Sequence, residues 1–337
     1  MNHNVKLVLL SALLLATINF AFGDTAADHF NRGIAMYSKG DFDGAIAEED
    51  SAIVLNPDYA EAYNSRGIDE QAKGNLAAAI SDYDKAIALK PNFEEAFSNR
   101  GVVKKSENDL DGAIQDYNQA VKLNPYDEKA FLNRANAKRS KGDLDGAIAD
   151  YNQTIKINPD FAMAWDGRGA AEAGRGDWTD AVDDFTKAIG INPYTAEYYS
   201  DRGNAKTGQK DFAGAITDYS KAIELKPEFV VAYEARGYAE QVHADLNLAI
   251  ADYSKAVSLK PDHWLVYFAR GQVRQAQGDL DDAIADYTHA IVTKPDFAEA
   301  YNSRGLAKRA KGDLVGANAD FAKAKELQIA EKQTGQP

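Results

Sequence analysis

The 337-residue chain contains no cysteine. Disulfides, thiolate nucleophiles, cysteine-held zinc, iron–sulfur clusters and lipids attached through cysteine are therefore excluded. Positive charge is also short. Against 52 Asp and Glu stand only 38 Lys and Arg, a formal net charge of −14, which argues against nucleic acid or an anionic lipid surface as the partner. The histidines are few and scattered: His3, His29, His243, His263 and His289 include no pair three or four residues apart, the helical spacing of two metal ligands. There is no GK[ST] phosphate loop and no G-x-S-x-G elbow, and Asp109-Leu110-Asp111-Gly112 lacks calcium-loop spacing. With no converging catalytic groups, the chain reads as a non-enzyme without cofactor or metal.

Long hydrophobic runs are scarce too. The one present, 7–22, follows Lys6 and ends in Ala21-Phe22-Gly23, with Ser11, Thr17 and Asn19 inside it. It is shorter than the roughly 20 apolar residues of a spanning helix, so residues 1–23 are expected to be a signal peptide cleaved before Asp24, an uncleaved anchor being the alternative. The expected location is then periplasmic or secreted, with no stable membrane insertion after cleavage.

What the sequence does contain is repetition. Pro57, Pro91, Pro125, Pro159, Pro193, Pro227, Pro261 and Pro295 each stand 34 residues from the last. Nine uninterrupted units follow: 26–59, 60–93, 94–127, 128–161, 162–195, 196–229, 230–263, 264–297 and 298–331. They form one domain, 24–331, and leave 332–337 as a polar tail expected to be disordered. Inside a unit, apolar and small residues recur three and four apart and are interrupted by pairs such as Gly74-Asn75, which predicts two helices and a turn. The Asp or Asn after the turn glycine, as in Gly40-Asp41, Gly74-Asn75, Gly142-Asp143 and Gly278-Asp279, is expected to cap the second helix. The proline then ends that helix.

These residues resemble the tetratricopeptide repeat. The early aromatic recurs from Tyr63, Phe97 and Phe131 to Tyr301, the eighth-place glycine from Gly33 to Gly305, and the twentieth-place alanine from Ala45 to Ala317. The resemblance implies an all-α solenoid, a right-handed superhelix of nine helix-turn-helix repeats, whose first helices line a concave face that binds a peptide or partner helix. The clamp by which some family members hold a C-terminal carboxylate needs a fifth-place lysine, and no unit here has one.

The stretch Arg175-Gly176-Asp177, an adhesion signal in other settings, occupies the places of Lys39-Gly40-Asp41 and Lys141-Gly142-Asp143, so it is expected to be an ordinary turn with Asp177 as cap. Arginine holds the seventh place of every unit, from Arg32 to Arg304, and a carboxylate the twenty-third, from Glu48 to Asp320. Equal numbers on one period predict ion pairs, within or between units, rather than an anion-binding ladder. The terminal units are expected to face water, through His29 and Glu49 at one end and Asn318 and Lys325 at the other.

Two candidate surfaces remain for a protein or peptide partner. Tyr238, Leu265, Phe268 and Gln272, with Val231, Gln241 and Gln275 nearby, form an expected apolar anchor. Lys105, Asn136 and Arg139, within the basic cluster that adds Lys104 and Lys138, form an expected polar or carboxylate-binding spot. The expected function is a non-catalytic scaffold acting as a monomer. A self-assembling structural solenoid and an unrecognised hydrolase are the alternatives.

Overall fold

The computed structural model describes residues 24–334, with side chains to residue 331; the expected signal peptide lies outside the described residues. Among these residues are eighteen α-helices and no strand. They form two compact units, residues 24–159 with four repeats and 160–334 with five.

Each repeat is built alike, as in repeat two, whose helices are Ala60–Ala72 and Leu76–Leu89. Its alanines Ala62, Ala79 and Ala86 have no exposed surface. Small side chains there let the helices approach, and the aromatic at the twenty-fourth place fills the remaining space. Tyr83 packs against Gly67, where an added Cβ would sit 2.7 Å from the ring. Glycine is needed at that place because backbone and ring are already in contact.

The turn requires a left-handed residue. Gly40, Gly74, Gly142, Gly176, Gly278 and Gly312 have φ between 78° and 90°, and repeats three, six and seven force Asn108, Lys210 and Ala244 into the same region, with Ala244 at φ 71°. The residue before each proline leaves the helix for extended geometry, as at Asn124 with φ −127° and ψ 92°.

The capping expectation holds in only some repeats. Asp41, Asp109, Asp143, Asp211 and Asp313 accept the N–H of the residue three places on, which is glycine in every case. Asn75, Asp177, Asp245 and Asp279 make no such bond. The third residue on is then Ala78, Asp180, Leu248 or Asp282. A Cβ at Gly112 would lie 2.1 Å from Asp109 Oδ2, so the carboxylate closes over its backbone target only where no side chain intervenes.

The ends also differ from expectation. Asn318 and Lys325 are exposed, but Glu49 is fully buried. It occupies the place of the core aromatics, packed on Gly33, and so faces into the stack. The last helix runs Leu314–Thr334, 21 residues against 14 for the second helix of repeat two, and carries helical backbone into the segment expected to be a disordered tail.

Candidate functional site

The arginine ladder is a set of ion pairs within repeats, with an added link between them. Arg66 Nε and Nη2 donate to Asp82 Oδ2 and Oδ1 at 2.8 and 2.5 Å, and Arg134 holds Asp150 in the same way at 2.8 and 2.6 Å. The remaining nitrogen reaches the preceding repeat: Arg66 to Asp50, Arg134 to Asn118, Arg202 to Thr186, Arg236 to Ser220, Arg270 to Ser254 and Arg304 to Thr288. From repeat two onward the guanidinium also lies over the early aromatic of its own repeat, Arg66 over Tyr63 at 5.5 Å and Arg270 over Tyr267 at 5.4 Å. In Arg66, Arg134, Arg202, Arg236, Arg270 and Arg304 all three nitrogens of the fork are thus engaged, and these arginines serve packing.

The eleventh place decides the charge balance of each network. Lys104, Lys138, Lys206, Arg274 and Lys308 add a second cation to Asp116, Asp150, Asp218, Asp286 and Asp320. Repeat one has Met36 there and repeat two Glu70, which accepts from Asn75, while repeats five and seven have Glu172 and Glu240. Arg168 is 2.6 Å from Asp184 and 3.7 Å from Glu172, so one cation serves two carboxylates. Burial, then the charge of Asp184, pushes Glu172 up to about 7; burial and Asp252 do the same to Glu240. Two more acid pairs lie elsewhere. Glu49 and Asp69 are both fully buried, and burial lifts Glu49 to about 9. Glu94 rises to about 8 through burial and the neighbouring Asp127. Glutamate in place of Lys or Arg at the eleventh place was the sequence signal for the first two, obscured by the regularity of the seventh and twenty-third places and by Glu70, which has the same place in repeat two.

The Arg175-Gly176-Asp177 turn is closed on itself, with Arg175 Nε 3.0 Å from Asp177 Oδ2. Asp177 therefore pairs with Arg175 and does not cap the helix through its side chain.

The expected apolar anchor is partly assembled. Val231, Tyr238 and Leu265 line a depression of about 490 Å³ on the first helices of repeats six to eight, together with Asn204, Thr207, Glu234 and Tyr253. Tyr238 and Leu265 are 51% and 42% exposed. Beneath them, the Tyr219 hydroxyl donates to Asn204 Oδ1 at 2.8 Å and lies 3.1 Å from the Thr207 hydroxyl, a polar floor of which Asn204 was not anticipated. Phe268 does not belong to this surface. It packs at 4.8 Å on Phe297 and 5.7 Å on Tyr287, partly buried against the core of repeats eight and nine. Gln272 is exposed outside the depression, while Gln241 and Gln275 accept from Tyr253 and Tyr287.

The basic cluster shrinks in the same way. Lys104 and Lys138 are held by Asp116 and Asp150 at 2.8 Å each. Lys105 is half-buried and Arg139 exposed. Burial, then the nearby Arg139 charge, pulls Lys105 below the usual lysine value. Asn136 is tied to the core, its Oδ1 accepting from the Tyr151 hydroxyl at 2.6 Å.

No group of three or more metal-ligating side chains occurs among the described residues, and none of their helices is long and apolar enough to cross a membrane.

A family model described as TPR repeat matches residues 71–106, 135–173, 203–241 and 272–312, and one described as tetratricopeptide repeat matches 94–127. No curated protein matches the sequence significantly. Among solved structures, a tetratricopeptide repeat protein from Parabacteroides merdae superposes with a TM-score of 0.58 at 19% identity, covering 74% of this chain and 99% of that one. The APC/C hetero-tetramer Cut9–Hcn1 gives 0.57 at 15% identity, over 79% of this chain and 52% of that one. The matched segments together take in more than half of the chain, and with the stacked helix pairs around Gly67 and Tyr83 they make it a member of the tetratricopeptide-repeat family.

Proposed function

We propose that the chain is a non-catalytic scaffold of an exported compartment, periplasmic or secreted, which binds a protein or peptide along the concave face of its first helices as a monomer. Proteins of this repeat family are protein- and peptide-binding scaffolds. The observation that carries the reading to particular residues is the depression of repeats six to eight, where Val231, Tyr238 and Leu265 stand exposed above a hydrogen-bonded floor. Exposed apolar anchors beside fixed polar groups are what a bound peptide uses for affinity and register. Export rests on the leader-like character of residues 1–23.

The test is affinity capture from the envelope fraction of the source cell, comparing the chain with a Tyr238→Ala, Leu265→Ala double variant. One protein held by the wild type and lost by the folded variant is the expected result. Equal capture by both, or capture by neither, would remove the depression as the working surface.

A further inference from the structure

The first helices of repeats six to eight, Ala196–Gly208, Val230–Val242 and Trp264–Gln277, carry the cations Arg202, Lys206, Arg236, Arg270 and Arg274, and each is held by a buried aspartate. Arg202 and Lys206 share Asp218 at 2.7 Å each, Arg236 holds Asp252 at 2.6 Å, and Arg270 and Arg274 share Asp286 at 2.7 and 2.8 Å. None of them is free to meet a ligand in the depression that these helices line. Its lining contains one carboxylate, Glu234, and no basic residue.

Glu234 is only half engaged. His263, the N-cap of the helix Trp264–Gln277, brings Nε2 to 3.2 Å from Glu234 Oε2, and the other carboxylate oxygen has no partner among the described residues. The Glu234 side chain is 29% exposed, so a ligand can reach it, yet it is sheltered enough for an ion pair to be stronger than on open surface. The same place in repeats six and eight holds Ser200 and Phe268, so among these three repeats the charge belongs to repeat seven alone. The floor has matching chemistry. The Thr207 hydroxyl donates to the Gly203 carbonyl at 3.0 Å and the Tyr219 hydroxyl to Asn204 Oδ1 at 2.8 Å, so both hydroxyl protons have acceptors and both oxygens keep lone pairs for a donor. Val231, Tyr238 and Leu265 supply exposed apolar surface beside these oxygens.

We propose that this depression takes a basic side chain of a bound peptide, its cation on Glu234 and its aliphatic stem against Val231 and Leu265. This rests on the peptide-binding reading above and names the chemistry of the bound side chain. Lysine and arginine carry a charged head on an apolar stem, and the apolar wall with its single carboxylate matches both halves. A wholly apolar side chain would shut Glu234 from water without giving it a cation, which is unfavourable. An acidic side chain would meet a like charge, so the same residue selects for one partner and against the other. The net charge of −14 draws a basic peptide toward the chain before contact.

The probe is a pentapeptide with lysine between two leucines and serine at each end, acetylated and amidated to remove its terminal charges. Two companions carry norleucine or glutamate in place of the lysine, and binding is followed by isothermal titration calorimetry at low salt. The lysine peptide is expected to bind saturably and about tenfold more tightly than the norleucine peptide, as a charge-assisted contact implies. Glu234→Gln should abolish that preference without weakening the norleucine peptide, and Glu234→Lys should transfer the preference to the glutamate peptide. A merely damaged fold would lose all three peptides and could not reverse their order. Glu224→Gln, on the second helix of repeat six, should change nothing. Equal binding of the lysine and norleucine peptides, or a lysine preference that survives Glu234→Gln, overturns the proposal. If the Tyr238→Ala, Leu265→Ala variant then loses both peptides, the depression still binds peptide and only its charge selectivity has failed. Binding of none of the three peptides also overturns the proposal, and the affinity capture described above then judges the peptide-binding reading by itself.

Discussion

Arg134 and Asp150 meet as two planar groups, Nε to Oδ2 at 2.8 Å and Nη2 to Oδ1 at 2.6 Å, with Lys138 on the same carboxylate at 2.8 Å. Asp150 is buried at 4% exposure, so two cations depend on one hidden anion. Asp150→Ala is expected to cost about 3–5 kcal/mol, the range for leaving a buried charge unpaired. Replacing Arg134 and Asp150 together by leucine should cost clearly less, and urea denaturation of both variants checks the order.

Stability should fall as pH rises. Glu49, Glu94, Glu172 and Glu240 sit at about 9, 8, 7 and 7 in the fold. Above the ordinary glutamate value near 4.5 the unfolded chain releases these protons while the folded chain keeps them, so the folded state loses ground until pH reaches each raised value. The window runs from about pH 4.5 to 9. Melting temperature is expected to be higher at pH 5 than at pH 8, and Glu49→Gln to raise it at pH 8 with little effect at pH 5. A melting temperature that rises with pH between these points would contradict this account.

Ala244 occupies a turn place where six other repeats use glycine, and pays for its Cβ at φ 71°. Ala244→Gly is expected to stabilise the chain by about 1 kcal/mol, the cost of alanine in left-handed backbone. Thermal melts would show it directly, and a destabilised variant would mean that Ala244 makes a compensating contact.

Phe268 and Tyr238 should separate core from surface. Phe268 packs on Phe297 and Tyr287, so Phe268→Ala is expected to cost about 3 kcal/mol. Tyr238 is half-exposed, and Tyr238→Ala should cost less than about 1 kcal/mol. Comparable losses from both would place Tyr238 in the core.

The fold was legible because the period is a packing requirement. A glycine where Tyr83 touches backbone and an alanine where two helices cross admit few substitutions, so Gly67 and Ala79 announce themselves in sequence. The opposed charges at the seventh and twenty-third places announced the ion pairs equally well. Spacing left their partners open because the guanidinium has more than one donor edge: Arg66 gives two nitrogens to its own repeat and one to the preceding repeat. Glu49 was misread because a terminal repeat is polar on its outer side, whereas the twenty-fourth place faces inward. Phe268 was misread because the fifth place lies at the border between groove and core, and the aromatic Phe297 at the end of the same repeat draws it inward. Lys104 and Lys105 look alike in sequence, and only the position of Asp116 distinguishes them.

Within each unit, the arginine that joins a repeat to the one before it ends on different chemistry along the chain. Arg66 and Arg100 reach the exposed carboxylates Asp50 and Asp84, whereas Arg202, Arg236, Arg270 and Arg304 reach the hydroxyls of Thr186, Ser220, Ser254 and Thr288. Dissolved ions screen the first kind of joint and leave the second almost untouched. In concentrated salt the earliest repeats should therefore fray first, and amide exchange would quicken there while the later joints keep their protection.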